Sequence, residues 1–140
     1  GCTLLLPTDV VVAKEVRPGV ASEVRTVYEV RPDDRILDAG PETTARLLAT
    51  MDRCRTLVWN GPLGVFEVPP FDAATVAAAK HAAALARAGK LVAVAGGGDT
   101  VAALNHAGVV GDMTFVSTAG GAFLGWVEGK PLPGVEALKA

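Results

Sequence analysis

The sequence is poor in cysteine, in aromatic residues and in charge of either sign. Its two cysteines, Cys2 and Cys54, have neither metal-ligand spacing nor the dense pattern of a secreted disulfide scaffold. The 15 acidic and 13 basic side chains form no long run, which argues against binding to nucleic acid or to an acidic membrane surface. No apolar run has the length of a transmembrane helix or the layout of a signal peptide. We therefore expect a cytoplasmic protein with no nucleic-acid or membrane partner.

Small aliphatic residues supply most of the apolar content. Half of the 140 residues are hydrophobic and only 5% are aromatic, a balance that suits helices packed on a buried sheet. From Arg35 onward, a unit of short apolar strand, glycine-rich loop and alanine-rich helix recurs four times, with the strands ILDA, TLVWN, LVAVA and TFVS. This order is typical of a parallel sheet with helical crossovers. We predict a single-domain α/β fold, a Rossmann-like three-layer αβα sandwich with a mainly parallel sheet.

Flanking residues predict the other elements and their ends. The β-branched run TDVVVA at residues 8–13 predicts a core strand that is covered on both faces, and the later run SEVRTVYEV predicts an edge strand. Proline, aspartate and glycine mark the ends of two helices. The first helix should begin at Pro41 and run to about Asp52, and the second should begin after an Asp72 cap and stop at Gly89 and Lys90.

The segment AVAGGGDTVAAL is the strongest local signal. Its three glycines let the backbone turn sharply and present consecutive N–H groups at the start of a helix, as in phosphate-binding loops. Asp99 would repel a phosphate unless a cation lies between them, and Mg²⁺ carried by a nucleotide would supply that cation. Alternatively, Asp99 and Thr100 only cap the helix, and the glycines allow the strand and helix to pack closely. The two roles are compatible.

The segment WNGPLGVFE places polar and apolar groups in a loop after a strand. Asn60 can donate a hydrogen bond to a phosphoryl oxygen, and Glu67 can accept hydrogen bonds from ribose hydroxyls. Pro62 and Leu63 can form an apolar wall for a base. The alternative is an ordinary turn, because N-G-P is common where a chain reverses direction.

The segment STAGGA, at residues 117–122, can bring another helix N-terminus toward a developing phosphoryl charge. A strand that ends in small residues before a helix is also routine packing. His81 and His106 fall on predicted helices, with no acid or cysteine in nucleophile spacing. We expect them to be surface or boundary histidines rather than catalytic ones.

Taken in order, WNGPLGVFE, GGGDT, STAGGA and EGKPLPGVEAL resemble the phosphoglycerate kinase family. LLPTDVVVA and ILDAGPET also resemble family segments, so the similarity covers essentially all 140 residues. The family transfers a phosphoryl group reversibly between 1,3-bisphosphoglycerate and ADP. It holds Mg-nucleotide on a C-terminal domain and the glycerate on an N-terminal domain. The resemblance implies that this chain is the closing part of the C-terminal, nucleotide-binding domain.

The resemblance also implies roles for individual residues. Glu67 would bind the ribose, and Asp99 would be the ligand of Mg²⁺ that accompanies ADP or ATP. The family mechanism relies on positioning and charge stabilisation, without a covalent enzyme intermediate. The implied nucleotide-binding positions are Asn60, Pro62, Glu67, Gly97, Gly98, Asp99 and Thr100, and those beside the transferred group, the catalytic positions, are Gly98, Gly120 and Gly121.

The sequence departs from the family pattern in places. Ala119 stands where the family usually has a glycine, and Lys14-Glu15 follow VVVA where the family tends to have Asp-Lys. The lysine-bearing opening of the nucleotide domain and the glycerate domain, with its catalytic arginine, are missing. We therefore expect a monomer that is inactive alone and that meets 3-phosphoglycerate or 1,3-bisphosphoglycerate only through the missing N-terminal domain. The alternatives are a non-catalytic nucleotide- or phosphate-binding module and an inert piece whose loops only pack.

Overall fold

The computed structural model describes residues 1–117, 119 and 121–138, without the side chains of residues 123, 124 and 127. Among these residues it contains two three-stranded sheets and the helices around them. In chain order the elements are β1 (Asp9–Ala13), β2 (Glu23–Thr26), β3 (Arg35–Ala39), α1 (Pro41–Met51), β4 (Thr56–Asn60), α2 (Ala73–Arg87), β5 (Val92–Gly96), α3 (Gly98–His106), a 3-10 turn (Val110–Asp112), β6 (Phe115–Ser117), α4 (Gly121–Val127) and α5 (Pro133–Glu136).

A parallel sheet forms the second half of the chain. Its strand order is β4-β5-β6, with α2 as the crossover from β4 to β5 and α3 as the crossover from β5 to β6. Pairing runs in register from Thr56 opposite Val92 to Asn60 opposite Gly96. Each strand leads into a loop and then a helix, so the predicted α/β fold with a parallel sheet is confirmed.

A separate antiparallel sheet forms the first half, with the order β2-β1-β3. The prediction that all four repeated units share one parallel sheet is therefore wrong for the first unit, which supplies β3. Parallel neighbours need a crossover of a dozen or more residues, usually a helix, whereas antiparallel neighbours need only a turn. The chain between β1 and β3 contains turns and β2 but no helix, so β3 returns antiparallel to β1. The predicted core strand at β1 and edge strand at β2 are confirmed.

The helix ends follow the predicted signals with one exception. Pro41 starts α1, and the α2 C-terminus closes with Gly89 at φ +67°. Asp72 precedes α2, but its side chain makes no capping hydrogen bond. Instead, Asp38 of β3 accepts a hydrogen bond of 3.0 Å from the N–H of Ala74 in the first turn of α2. A carboxylate from a distant strand thus does what Asp72 was predicted to do.

The main core lies between α2 and one face of the parallel sheet. Small side chains let the helix approach the strands closely, and Leu104 and Trp59 fill the space around them. The opposite face of the sheet is exposed, and it borders an apolar groove of about 650 Å³ that Trp126 also lines. No helix in the described part of the chain is both long and apolar enough to cross a membrane. The buried alanines of this core are Ala78, Ala79, Ala82, Ala83, Ala93, Ala95 and Ala107.

Candidate functional site

Three strand ends meet at the carboxyl edge of the parallel sheet. Asn60, the last residue of β4, is the register partner of Gly96 on β5, and Gly96 is the partner of Ser117 on β6. The N–H of Gly97 also donates a hydrogen bond of 3.4 Å to the carbonyl oxygen of Ser117. The three loops that the sequence singled out separately therefore begin side by side. Ligands of open parallel sheets bind at this edge.

The glycine-rich loop ends in the first turn of α3. Gly97 has φ +102°, a conformation that side-chain-bearing residues rarely adopt, and α3 begins at Gly98. The first N–H groups of a helix have no intrahelical acceptor, and Gly98 and Asp99 are both exposed there. In the described part of the chain, the Asp99 carboxylate has no hydrogen bond or ion pair. This turn therefore presents backbone donors and one unpaired carboxylate to solvent.

Thr100 is turned inward, unlike Asp99. It is 2% exposed, and its Oγ1 accepts a hydrogen bond of 2.8 Å from the N–H of Gly61. At the N-cap, Gly97, no side-chain capping bond forms among the described residues, so the capping interpretation of Asp99 and Thr100 is not supported. Thr100 instead joins the GGGDT loop to the loop after β4.

Residues 61–68 form a loop that is fixed at several points, unlike an ordinary turn. Gly61 has φ +88°, which favours glycine at that position. Backbone N–H groups of the loop find acceptors on α2 and β3, and an indole N–H donates to the loop. These hydrogen bonds run from Leu63 N to Thr75 Oγ1 (3.0 Å), from Val65 N to Leu37 O (2.9 Å) and from Trp59 Nε1 to Gly61 O (2.6 Å).

Asp38 of β3 packs against this loop at Gly64, and no sequence motif singled it out as a site residue. Its carboxylate is 2% exposed and accepts hydrogen bonds from the N–H groups of Ala39 and Ala74. Burial raises the pKa of Asp38, which outweighs those two hydrogen bonds. A Cβ on Gly64 would overlap this carboxylate and the Phe71 carbonyl oxygen, so only glycine fits at this position of the loop. An aspartate inside the apolar strand ILDA was the available signal.

The two polar side chains that the sequence predicts as ligand contacts in this region, Asn60 and Glu67, lie near the two ends of the loop. Asn60 and Glu67 are both exposed and make no hydrogen bond or ion pair with the described residues, and Pro62 is half-buried. A Cβ placed on Gly97 would lie 3.8 Å from Asn60 Oδ1, which makes Asn60 and the glycine-rich loop direct neighbours. The loop therefore offers an amide beside the α3 N-terminus and a carboxylate further along.

A mostly apolar cavity of about 310 Å³ lies beside the same loop. Leu63 and Val65 line it from the loop, and Ile36 and Leu37 line it from β3. Leu63 lies in this apolar lining, whereas Pro62, the other residue predicted to form an apolar wall for a base, does not. The β3 residues were missed because the strand was interpreted only as core. The cavity has the apolar character of a site for a flat heterocycle.

The third motif is described only in part. Ser117 ends β6, and its Oγ accepts a hydrogen bond of 3.2 Å from the N–H of Ala119. Gly121 begins α4 and is exposed. Gly120 and Thr118 lie outside the described residues.

The described residues are suited to a metal ion that is already bound to a ligand's phosphates. They contain no group of three or more His, Cys, Asp or Glu side chains that could hold a metal ion. Asp99 offers one exposed carboxylate, a hard oxygen donor of the kind that Mg²⁺ prefers. Mg²⁺ is commonly bound by one or two carboxylates together with substrate phosphates. The donor set therefore fits Mg²⁺ carried by a nucleotide and does not fit a resident metal.

Comparison with known proteins agrees with the resemblance in the motifs. The phosphoglycerate kinase family model matches residues 1–130. The phosphoglycerate kinase of Caulobacter sp. (strain K31) is 78% identical over 139 residues, which is 99% of this chain and 35% of that protein. That of Sphingopyxis alaskensis is 67% identical over 140 residues, which is 100% of this chain and 35% of that protein.

Solved structures give the same result. The phosphoglycerate kinase of Coxiella burnetii has a TM-score of 0.85 and 41% identity, over 94% of this chain and 33% of that one. The phosphoglycerate kinase of Pyrococcus horikoshii has a TM-score of 0.76 and 29% identity, over 95% of this chain and 32% of that one. The chain spans about a third of the length of these relatives. With 78% identity to one relative and a family model matched over 130 of its residues, the chain belongs to the phosphoglycerate kinase family.

Proposed function

We propose that this chain supplies the Mg-ADP/ATP-binding loops of a phosphoglycerate kinase, as the closing part of its C-terminal, nucleotide-binding domain. The whole enzyme would transfer a phosphoryl group reversibly from 1,3-bisphosphoglycerate to ADP, a cytoplasmic step of glycolysis. The observation that carries the proposal is the alignment of Asn60, Gly96 and Ser117 at one sheet edge. It brings together three loops at the edge where open parallel sheets bind ligands, and two of them carry the exposed side chains of Asn60, Glu67 and Asp99.

The first turn of α3 would hold the phosphates. Backbone N–H groups of Gly98 and Asp99 would donate to phosphate oxygens, helped by the positive end of the helix dipole, while Gly97 and Thr100 would hold the loop in shape around them. Asn60, beside Gly97, would donate its side-chain N–H to a phosphoryl oxygen. Asp99 would hold the Mg²⁺, which neutralises phosphate charge when bound.

The loop after β4 would hold the nucleoside. Glu67 would accept hydrogen bonds from the ribose hydroxyls, and the base would lie against Leu63, Val65 and the β3 side chains that line the 310 Å³ cavity. Pro62 would stiffen the start of this loop. The anchoring bonds to Thr75, Leu37 and Thr100 would keep the loop in place before the nucleotide arrives, which lowers the entropic cost of binding.

Catalysis at this site would rest on position and charge. Gly98, Gly120 and Gly121 would bring backbone N–H groups toward the transferred phosphoryl group, where they stabilise charge that develops in transit. The described part of the site presents backbone donors and carboxylates and no activated nucleophile, which agrees with direct transfer. The glycerate substrate would bind to parts of the protein outside this chain, so the chain alone would be inactive.

The second candidate is a non-catalytic nucleotide- or phosphate-binding module. It is favoured by the same exposed groups, since Asn60, Glu67 and Asp99 are left unpaired by the described residues. A purely structural role predicts that these side chains bind nothing, since polar side chains of surface loops normally face solvent. Binding and turnover measured together separate the three readings.

The test uses two proteins. One is the 140-residue chain, and the other, which we call the grafted kinase, is the Caulobacter sp. relative with its matching 139 residues replaced by this chain. We expect calorimetric titration to show binding of Mg-ADP to the grafted kinase, together with turnover close to that of the unaltered relative. Binding without turnover would favour the non-catalytic module. Absence of Mg-ADP binding from both proteins would contradict any nucleotide role.

A further inference from the structure

His106 contacts two residues that lie far from it in the sequence, Asp72 and Phe66. Its Nε2 lies 2.8 Å from Oδ2 of Asp72, which precedes α2. Its ring meets the ring of Phe66 edge to face, with centroids 6.1 Å apart and planes at 67°. Its side chain is 38% exposed, as expected for a boundary histidine. The contacts show that it also joins separate segments.

These contacts join the far end of α3 to the loop that carries Glu67. Phe66 is 6% exposed and is the residue directly before Glu67. His106 is the last residue of α3, and the first turn of that helix carries Asp99, roughly 10 Å away along the axis at 1.5 Å per residue. The hydrogen bond from Gly61 to Thr100 fastens the same loop near the first turn. The loop is therefore attached to α3 at both ends of the helix.

We propose that His106 is a positioning residue that holds the Phe66-Glu67 segment against α3 and so fixes the distance between the ribose-binding carboxylate and the phosphate-binding turn. This inference rests on the proposed function of Glu67 and of the α3 N-terminus. A nucleotide contacts both sites at once, so a loop held at the correct distance loses less conformational freedom on binding. Pyrophosphate contacts only the helix end and gains nothing from the fixed distance.

The first measurement is hydrogen–deuterium exchange in the grafted kinase without ligand. In His106→Ala, we expect amides of residues 61–68 to exchange about tenfold faster, because local opening becomes easier when the attachment is lost. The matched control is His81→Ala. His81 also pairs with an aspartate at 2.8 Å, Asp52, but that pair joins α2 to the end of α1 and involves no residue of the loop. The control should leave exchange at 61–68 unchanged.

The second measurement is the affinity for Mg-ADP compared with that for Mg-pyrophosphate. His106→Ala should lower the affinity for Mg-ADP about five- to tenfold and the affinity for Mg-pyrophosphate less than about twofold. His106→Gln retains a donor for Asp72 and should recover part of the loss. His81→Ala should change the affinity for neither ligand.

The outcomes separate this inference from the proposed function. Unchanged exchange at 61–68 in His106→Ala, or an equal increase throughout the chain, would overturn the positioning role. Equal losses for Mg-ADP and Mg-pyrophosphate would overturn it too. If the unsubstituted grafted kinase binds no nucleotide, the proposed function fails, and the ligand-free exchange still decides whether His106 holds the loop.

Discussion

The N–H of Gly61 donates a hydrogen bond of 2.8 Å to Oγ1 of Thr100, and this bond joins two loops that are 39 positions apart in the sequence. Gly61 follows β4 and Thr100 lies in the first turn of α3, so the bond crosses between neighbouring strand ends. Thr100 is 2% exposed, which shields the bond from water. The two loops proposed to share one nucleotide thus also share a buried contact.

Thr100→Val should destabilise the chain. The valine has nearly the same shape but leaves the Gly61 N–H without an acceptor, which costs about 1–3 kcal/mol. Thr100→Ser keeps the acceptor and should lose less. Urea unfolding of the 140-residue chain measures both. The control is Thr56→Val, an exposed site on β4 whose hydroxyl makes no hydrogen bond with the described residues, which should change the free energy of unfolding by less than about 0.5 kcal/mol. Equal midpoints for Thr100→Val and the parent would contradict the account.

Asp9 should stabilise the fold only while it is ionised. Burial raises its pKa, but hydrogen bonds from the Thr43 hydroxyl and from the N–H groups of Thr43 and Glu42 outweigh this and leave the pKa below 3.8. A depressed folded pKa adds stability above about pH 4, and that stability is lost as the pH falls further. Asp9→Asn should cost about 1–3 kcal/mol at pH 7.

Unfolding measured between about pH 5 and pH 2 checks the sign. The parent should lose more stability over this interval than Asp9→Asn does. Parallel curves for the two proteins would show that the Asp9 carboxylate contributes nothing specific.

Asp38 should have the opposite pH dependence. Burial raises its pKa above 3.8, and the nearby Asp72 charge adds to the shift. The folded state then holds its proton more tightly than the unfolded state, so stability falls as the pH rises from about 4 through the raised pKa. Asp38→Asn should remove this slope, while losing one of two accepted hydrogen bonds at a cost of about 1–3 kcal/mol. A slope that survives in Asp38→Asn would have to come from another group.

Local features could be predicted from the sequence more accurately than contacts between residues that are distant in it. The alanine-rich helix α2 and its glycine stop were predictable because helix period and capping are local properties. The pairing of β3 with β1 was not, since it depends on where the chain turns back between them. Asp38 and His106 were missed as supports because their partners, Ala74 and Phe66, are distant in sequence. Only the fold brings such pairs together.

Glu67→Gln should weaken the binding of nucleotides and leave the binding of inorganic phosphate unchanged. The neutral amide accepts hydrogen bonds from ribose hydroxyls less strongly than the carboxylate does, so Mg-ADP affinity should fall about tenfold, as expected for the loss of one charge-assisted hydrogen bond. Inorganic phosphate binds at the helix end and should be unaffected. Glu42→Gln, an exposed carboxylate on α1, is the control. Calorimetry that shows equal changes for both ligands would remove the ribose role of Glu67.

The central claim is that the first turn of α3 binds a nucleotide together with its Mg²⁺, with Asp99 as the metal's protein ligand. Asp99→Ala in the grafted kinase tests it most directly, with ADP titrated once in excess Mg²⁺ and once in a chelator. We predict a loss of at least about tenfold for Mg-ADP, because a charged metal ligand disappears, and little change or a slight gain for metal-free ADP, because a repulsive carboxylate disappears. Equal losses in both titrations would contradict a metal-linked nucleotide site.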